Sequence, residues 1–163
     1  MKLVTPDTRP LLLLLIIGFA TIAGAWAFQL YGDLVPCPLC FIGRWQYYAG
    51  LPLALAALLL VQNNVNMARL LLVLVALVFV AGAIFSAWHA GVEWKFWPGP
   101  STCETGSGSP ETAGGLLSQM RSTRVVPCDE AAWRLFGVSL AGYNAIISAG
   151  IAGLAWCSRR GKN

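Results

Sequence analysis

Charge is what this chain has least of. Lys, Arg, Asp and Glu together make up 11% of its 163 residues, against 57% hydrophobic residues. That balance, with a mean hydropathy of +0.66, excludes a soluble globular domain, whose surface needs far more charge than this. Internal repeats, low-complexity tracts and a separate soluble domain are also missing, so residues 1–163 read as one membrane domain. The basic pI of about 9.0 comes from cations clustered at the ends of apolar runs and gives no reason to expect nucleic acid as a partner.

What the chain does have is long apolar runs. Four are of the roughly 20 residues that a helix needs to cross about 30 Å of hydrocarbon: about 11–30, 41–61, 68–90 and 135–157. The expected fold class is therefore all-α, a polytopic bundle of four transmembrane helices with outer loops at about 31–40 and 91–134. Arg44 and Pro52 in the second run do not veto it, because a cation near a helix end can snorkel and neighbouring helices can accommodate proline. The first run is longer than a signal-peptide core and reads as a retained anchor. With alternating spans, one side collects Lys2, Arg9, Arg69, Arg159, Arg160 and Lys162 against the single acid Asp7. The other mixes Arg44, Lys95, Arg121, Arg124 and Arg134 with six acids. The positive-inside rule then puts both termini in the cytoplasm and both long loops outside.

Four of the five cysteines fall in those outer loops, where disulfides persist. Cys37 and Cys40 lie in Pro36-Cys37-Pro38-Leu39-Cys40, and Cys103 and Cys128 in the second loop. Cys157 falls at the cytoplasmic end and reads as packing. Cys37 suits a helix N-cap and Pro38 the first helical position, which leaves Cys40 in the first turn. A Cys40 thiolate would feel the helix dipole and the cation of Arg44, four residues on and on the same helical face. With Tyr47 or Tyr48 below, this makes a cationic, aromatic-lined pocket suited to a lipid-soluble carbonyl acceptor. Each piece has a plainer reading: a static disulfide or four zinc thiolates for the cysteines, a snorkelling anchor for Arg44, an interfacial residue for His89 among Trp88, Trp94 and Trp97. Residues 98–115 are too rich in Gly, Ser, Thr and Pro for a regular element. Residues 112–124 then place Leu116, Leu117 and Met120 on one face, as a short interfacial helix would. Asn144 is expected to hydrogen-bond a neighbouring helix, and Ala20–Gly24 and Ala149–Gly153 to allow close helix packing.

The order of these motifs is that of a known family. Cys37-Pro38-Leu39-Cys40 with Arg44, Trp88-His89-Ala90-Gly91-Val92-Glu93-Trp94, Trp97-Pro98-Gly99-Pro100-Ser101-Thr102-Cys103 and Pro127-Cys128-Asp129-Glu130 with Trp133, Phe136 and Gly137 resemble the disulfide bond formation protein B (DsbB) family of bacterial inner membranes over nearly the whole chain. Gly43 departs from it, standing where many relatives have a longer polar side chain. The resemblance implies a quinone reductase that reoxidises a periplasmic thioredoxin-fold dithiol oxidase (DsbA-like). Its catalytic residues would be Cys37, Cys40, Cys103 and Cys128, its quinone (ubiquinone or menaquinone) would sit near Arg44 and His89, and no metal is expected. In the family scheme the partner attacks a Cys103–Cys128 disulfide at Cys103, Cys128 then attacks Cys37, and Cys40 leaves facing the quinone, drawn from the membrane quinone pool. Other readings are an oxidoreductase of the vitamin K epoxide reductase manner and a non-enzymatic tetraspan scaffold or metal-binding protein with structural cysteines.

Overall fold

The structure is a computed structural model and describes residues 6–32, 36–100, 128, 131 and 133–161. Cys103, most of the second outer loop and the 112–124 stretch lie outside the described residues.

The helices begin where the sequence supplies caps. Helix α1 (Thr8–Tyr31) starts behind Asp7, whose carboxylate accepts from the Arg9 backbone N–H at 3.0 Å. Helix α2 (Pro38–Ile42) starts behind Cys37, with proline at its first position where no N–H is needed. Helix α3 (Trp45–Leu60) follows after one tight turn. Helix α4 (Val65–Glu93) starts behind Asn64, which accepts from Met67 N–H at 3.1 Å. Helix α5 (Leu140–Arg160) starts behind Ser139 and ends in Arg159 and Arg160, whose cations favour a helix C-terminus and stack on Trp156.

Two expected spans are altered locally. The second is in two pieces, because Gly43 N–H bonds back to Leu39 O and Arg44 N–H to Phe41 O, tightening the chain into a turn between α2 and α3. At about 24 Å, α3 by itself is shorter than the hydrocarbon layer, while α1, α4 and α5 are each long and apolar enough to cross it. The start of the fourth is not helical. Phe136 (φ 49) and Gly137 (φ 82) both take positive φ, the signature of a two-residue hairpin turn. They pair β1 (Arg134–Leu135) with β2 (Val138–Ser139) antiparallel, so α5 begins only at Leu140.

The four longer helices pack in a ring, α1 on α3, α3 on α4, α4 on α5 and α5 on α1. Leu11, Leu14, Leu51, Phe79 and Ile151 fill the middle. Close approach depends on Gly18, Gly50 and Gly82: a Cβ at the first two would come within 2.5 Å of Leu51 and Phe79 respectively, and one at Gly82 would overlap the Gln46 side chain. The small-residue spacings noted in the sequence do not serve this purpose, since Gly24 and Gly153 have nothing within 4 Å of where a Cβ would stand. Outward faces are apolar on every helix, with Ile16 65%, Leu59 69%, Ile84 67% and Ile146 64% exposed. Such faces need hydrocarbon, not water, as their solvent.

The two ends of the bundle differ. At one end Asp7 N–H bonds to Ser158 O at 3.0 Å and Ser158 Oγ–H to Asp7 O, tying the two ends of the chain together. The other end carries Cys37, Cys40 and Cys128 within a collar of exposed Trp45, Trp94, Phe96, Trp97 and Phe136, as at a membrane–water boundary. Trp97 is held there by its indole N–H donating to Trp88 O at 3.0 Å, with its ring lying flush on Gly91.

Candidate functional site

The site is built around the N-cap of α2. Because Cys37 precedes the helix, its sulfur faces the unsatisfied N–H groups of the first turn and accepts from Cys40 N–H at 3.1 Å. Both cysteines are free thiols, and one hydrogen bond joins Cys37 Sγ and Cys40 Sγ at 2.7 Å. His89 reaches across from α4 with Nε2 3.8 Å from Cys37 Sγ.

These contacts decide which sulfur carries the charge. The thiols lie just ahead of the spanning part of the second helix pair. The hydrogen bond from Cys40, helped by His89 and the Cys40 backbone N–H and opposed by burial, lowers the Cys37 pKa to about 5. Cys40 is pushed up, because it holds the shared proton for Cys37 and is buried. In the dithiol the thiolate therefore sits on Cys37, not on Cys40 as the spacing suggests. The N-cap sulfur takes the helix dipole, and Arg44 does not reach Cys40 along a continuous helical face, because the turn at Gly43 separates them.

Arg44 instead turns toward α1. Its NH1 donates to Gln29 Oε1 at 2.7 Å and its NH2 to Ala25 O at 3.3 Å, and its guanidinium lies over Trp26 and Phe41, 5.7 and 5.5 Å from the ring centres. It is only 9% exposed, and among the described residues no carboxylate pairs with it. Among the described residues, two of its five N–H donors are engaged.

Arg44 and the thiols share one cavity of about 290 Å³ between the helices at this end. Its walls are mainly apolar, with Ala25, Phe28, Leu39 and Ile147 among them; its polar groups include Cys37, Cys40, Arg44, His89 and Glu93. Mostly apolar walls with a few convergent polar groups are the usual make-up of a small-molecule site, and a flat carbonyl ring fits the volume. At its edge Tyr47 O–H donates to Asn144 Oδ1 at 2.6 Å, Gln46 Nε2 to the same oxygen at 3.3 Å, and Asn144 Nδ2 to Ser86 Oγ at 2.7 Å. This ties α3, α4 and α5 together beside the site, so Asn144 makes the interhelical bonds its place in an apolar run calls for.

Cys128 is 2% exposed, disulfide-bonded, and packed with Cys37 and Leu39, with Cys40 and Phe85 alongside. Cys128 therefore stands beside the Cys37/Cys40 pair. Cys103 lies outside the described residues. Cys157 is exposed at the opposite end, on the outer surface and not in the packing.

Sequence reasoning passed over two participants. Glu93, four residues after His89 and so on the same side of α4, is 6% exposed, with Oε1 4.0 Å from His89 Nε2 and Oε2 without a hydrogen-bond partner among the described residues. Its signal was the His89-to-Glu93 spacing, hidden by counting Glu93 as an outer-loop charge. Gln29, a polar residue near the end of an apolar run, is the other.

Comparison with known proteins agrees with this arrangement. The family model described as Disulfide bond formation protein DsbB matches residues 7–158. An uncharacterized protein of Rickettsia prowazekii (strain Madrid E) is 23% identical over 139 residues, which cover 84% of this chain and 78% of the relative. No solved structure matches. A helical membrane bundle with a reduced Cys-Pro-Leu-Cys pair at one mouth, a disulfide-bonded cysteine packed on it and a family match over nearly the whole length identify the chain as a member of the disulfide bond formation protein DsbB family.

Proposed function

We propose that this protein is a thiol oxidase of the bacterial inner membrane that reoxidises a periplasmic, thioredoxin-fold dithiol oxidase (DsbA-like) and passes the electrons to a membrane quinone. The observation that carries the proposal is the single cavity shared by the Cys37/Cys40 pair and Arg44, with Cys128 packed against Cys37.

Electrons enter at the outer loop. The partner's thiolate attacks the Cys103–Cys128 disulfide at Cys103, and the electron pair leaves on Cys128. Cys128 then attacks Cys37 Sγ of the oxidised inner pair, the Cys37–Cys40 bond breaks, and Cys40 takes the electron pair as a thiolate. Packing of Cys128 on Cys37, and not on an isolated Cys40, suits this choice of target. While Cys37 is bonded to Cys128 it no longer competes for the proton that raises Cys40 in the free dithiol, so Cys40 becomes the better leaving group at the step where it must leave.

Arg44 sits in the cavity wall with a buried cation held by Gln29 and Ala25, ready to favour negative charge on a carbonyl oxygen in that cavity. His89 lines the same space at the other side of the thiols. The partner's second thiolate then resolves the mixed disulfide and frees Cys103, and Cys103 attacks Cys128 and releases Cys37. A quinone, when bound, would accept the two electrons and two protons of the resulting Cys37/Cys40 dithiol. Ubiquinone and menaquinone both meet this need. Thermodynamics favours such an acceptor, since partners of this class have potentials near about −120 mV, too oxidising for glutathione to regenerate. The charge asymmetry between the ends supports termini in the cytoplasm and a cysteine end in the periplasm.

The test is anaerobic turnover of a reduced DsbA-like partner by purified protein, with ubiquinone and menaquinone supplied in turn. Partner oxidation that requires added quinone supports the proposal. Oxidation at the same rate without quinone, or none with either, overturns it.

A further inference from the structure

The proposed electron path uses Cys37, Cys40 and His89 but leaves Glu93 unexplained. The two thiol sulfurs and His89 Nε2 all lie within 4.8 Å of one another. His89 Nε2 is 3.8 Å from Cys37 Sγ on one side and 4.0 Å from Glu93 Oε1 on the other. Glu93 is 94% buried by the complement of its 6% exposure, and its Oε2 has no hydrogen-bond partner among the described residues. The Arg134 guanidinium stands on one side of Glu93, donating to its backbone O at 3.2 Å, and His89 Nε2 on the other, so a buried carboxylate oxygen is left over between the helices with room for one more positive partner.

We propose that the reduced site binds one soft divalent cation of the Zn²⁺ class through Cys37, Cys40 and His89, with Glu93, next to His89 but outside that three-residue cluster, swinging in as the fourth ligand. The inference rests on the reading that Cys37 and Cys40 cycle between dithiol and disulfide, because only the dithiol offers two sulfur ligands. Four ligands from two thiolates, an imidazole and a carboxylate are the donor types that zinc takes in tetrahedral sites. Bond lengths of about 2.0 to 2.3 Å set ligand-to-ligand separations of roughly 3.4 to 3.8 Å. The sulfur-to-nitrogen and nitrogen-to-oxygen distances of 3.8 and 4.0 Å are already close to these. The sulfurs, 2.7 Å apart, must open by about 1 Å, which rotation of the half-buried Cys40 side chain supplies. Both helices contribute paired ligands by local spacing: i and i+3 across the start of α2, i and i+4 on the last turn of α4.

The chemistry is an exchange of a proton for metal. Cys37 is already a thiolate, so Cys40 gives up the one remaining thiol proton, the cation binds both sulfurs, and no electrons move. A metal held this way keeps the dithiol reduced and occupies the wall of the acceptor cavity, so metal binding and quinone-linked turnover exclude each other.

The test uses the full-length chain in detergent with Cys103, Cys128 and Cys157 replaced by Ser, reduced without oxygen and titrated with Co²⁺ as a spectroscopic probe. One equivalent should bind, with thiolate-to-cobalt charge-transfer bands and the ligand-field bands of a tetrahedral site, and Zn²⁺ should displace it. The same preparation oxidised to the Cys37–Cys40 disulfide should show neither, a comparison that does not depend on folding of a new variant. His89→Ala and Glu93→Gln should each weaken cobalt binding at least tenfold. In the wild-type chain, Zn²⁺ should stop quinone-linked turnover, EDTA should restore it, and Glu93→Gln should need at least tenfold more Zn²⁺. Equal cobalt binding by reduced and oxidised protein, or unchanged affinity in both His89→Ala and Glu93→Gln, would overturn the site. Turnover in EDTA separates the two readings: normal turnover with no cobalt site sinks the metal proposal alone, and a cobalt site without turnover sinks the relay alone.

Discussion

Replacing Arg44 with Ala separates the acceptor step from the thiol steps. The guanidinium is 9% exposed, anchored to Gln29 and Ala25, and belongs to a residue that lines a cavity together with Cys40. A full charge about 4 Å from a developing negative oxygen contributes about 4 kcal/mol at an effective dielectric constant near 20. Single charge-stabilising donors elsewhere cost about 100- to 1,000-fold in rate when removed. Arg44→Ala should therefore lower kcat/KM for quinone by roughly two to three orders of magnitude. Arg44→Lys should fall between, since it keeps the charge but loses the fork that bonds Gln29 and Ala25 together. Exchange between a reduced partner and the Cys103–Cys128 disulfide should survive in both, because that step precedes electron delivery to the cavity and Cys128 packs on Cys37 and Leu39. Stopped-flow quinone absorbance and quenched partner exchange, run on the same variant, give the two rates. Wild-type quinone kinetics in Arg44→Ala would reduce Arg44 to an anchor for α1, and loss of partner exchange alone would make it a folding residue.

Three further outcomes follow from the same geometry. In the reduced chain with only Cys37 and Cys40 retained, ultraviolet thiolate absorbance should titrate with a midpoint near 5, the thiolate being present above that pH and lost below it; Cys40→Ala should move the midpoint up, and an ordinary thiol midpoint with Cys40 present would refute the N-cap assignment. Asn144→Leu should leave Tyr47, Gln46 and Ser86 without their shared partner and cost roughly 1 to 3 kcal/mol of stability, read from denaturation in detergent; an unchanged midpoint would mean that these bonds do not hold α5 to α3 and α4. Cys37→Ser or Cys40→Ser should accumulate a covalent complex with the partner on non-reducing gels more than Cys128→Ser does, because only the last removes the disulfide that the partner attacks; equal trapping in all three would break the proposed order.

How legible each part was depends on whether its cause is local. Helical spans follow from hydropathy, and the role of Cys37 as an N-cap follows from Pro38 at the next position, both readable within a few residues. The break at Gly43–Arg44 was not, because it falls inside an apolar run and one glycine there is compatible with a continuous helix. It matters, since it turns Arg44 away from Cys40 and toward residues 15 and 19 positions earlier in the chain, partners that only the packing of α1 against α3 brings close. The hairpin before α5 was hidden likewise in the apolar stretch Leu135 to Val138, where positive φ at Phe136 gives no compositional sign. Glu93 looked like one loop charge among six until α4 extended to include it, burying its carboxylate beside His89. The lowering of Cys37 relative to Cys40 depends on their shared hydrogen bond and on His89, 52 residues away, neither of which spacing alone shows.

The most direct test of the central claim needs no partner protein. Reduced, purified chain with Cys103, Cys128 and Cys157 replaced by Ser is mixed anaerobically with excess quinone in detergent or lipid, and quinol formed and thiols lost are counted together. Electron delivery from the Cys37/Cys40 pair into the cavity requires one quinol for each Cys37–Cys40 disulfide formed, slowed in Arg44→Ala and absent in Cys40→Ser. Thiols that stay reduced beside excess quinone, or quinol that still forms in Cys40→Ser, would contradict it.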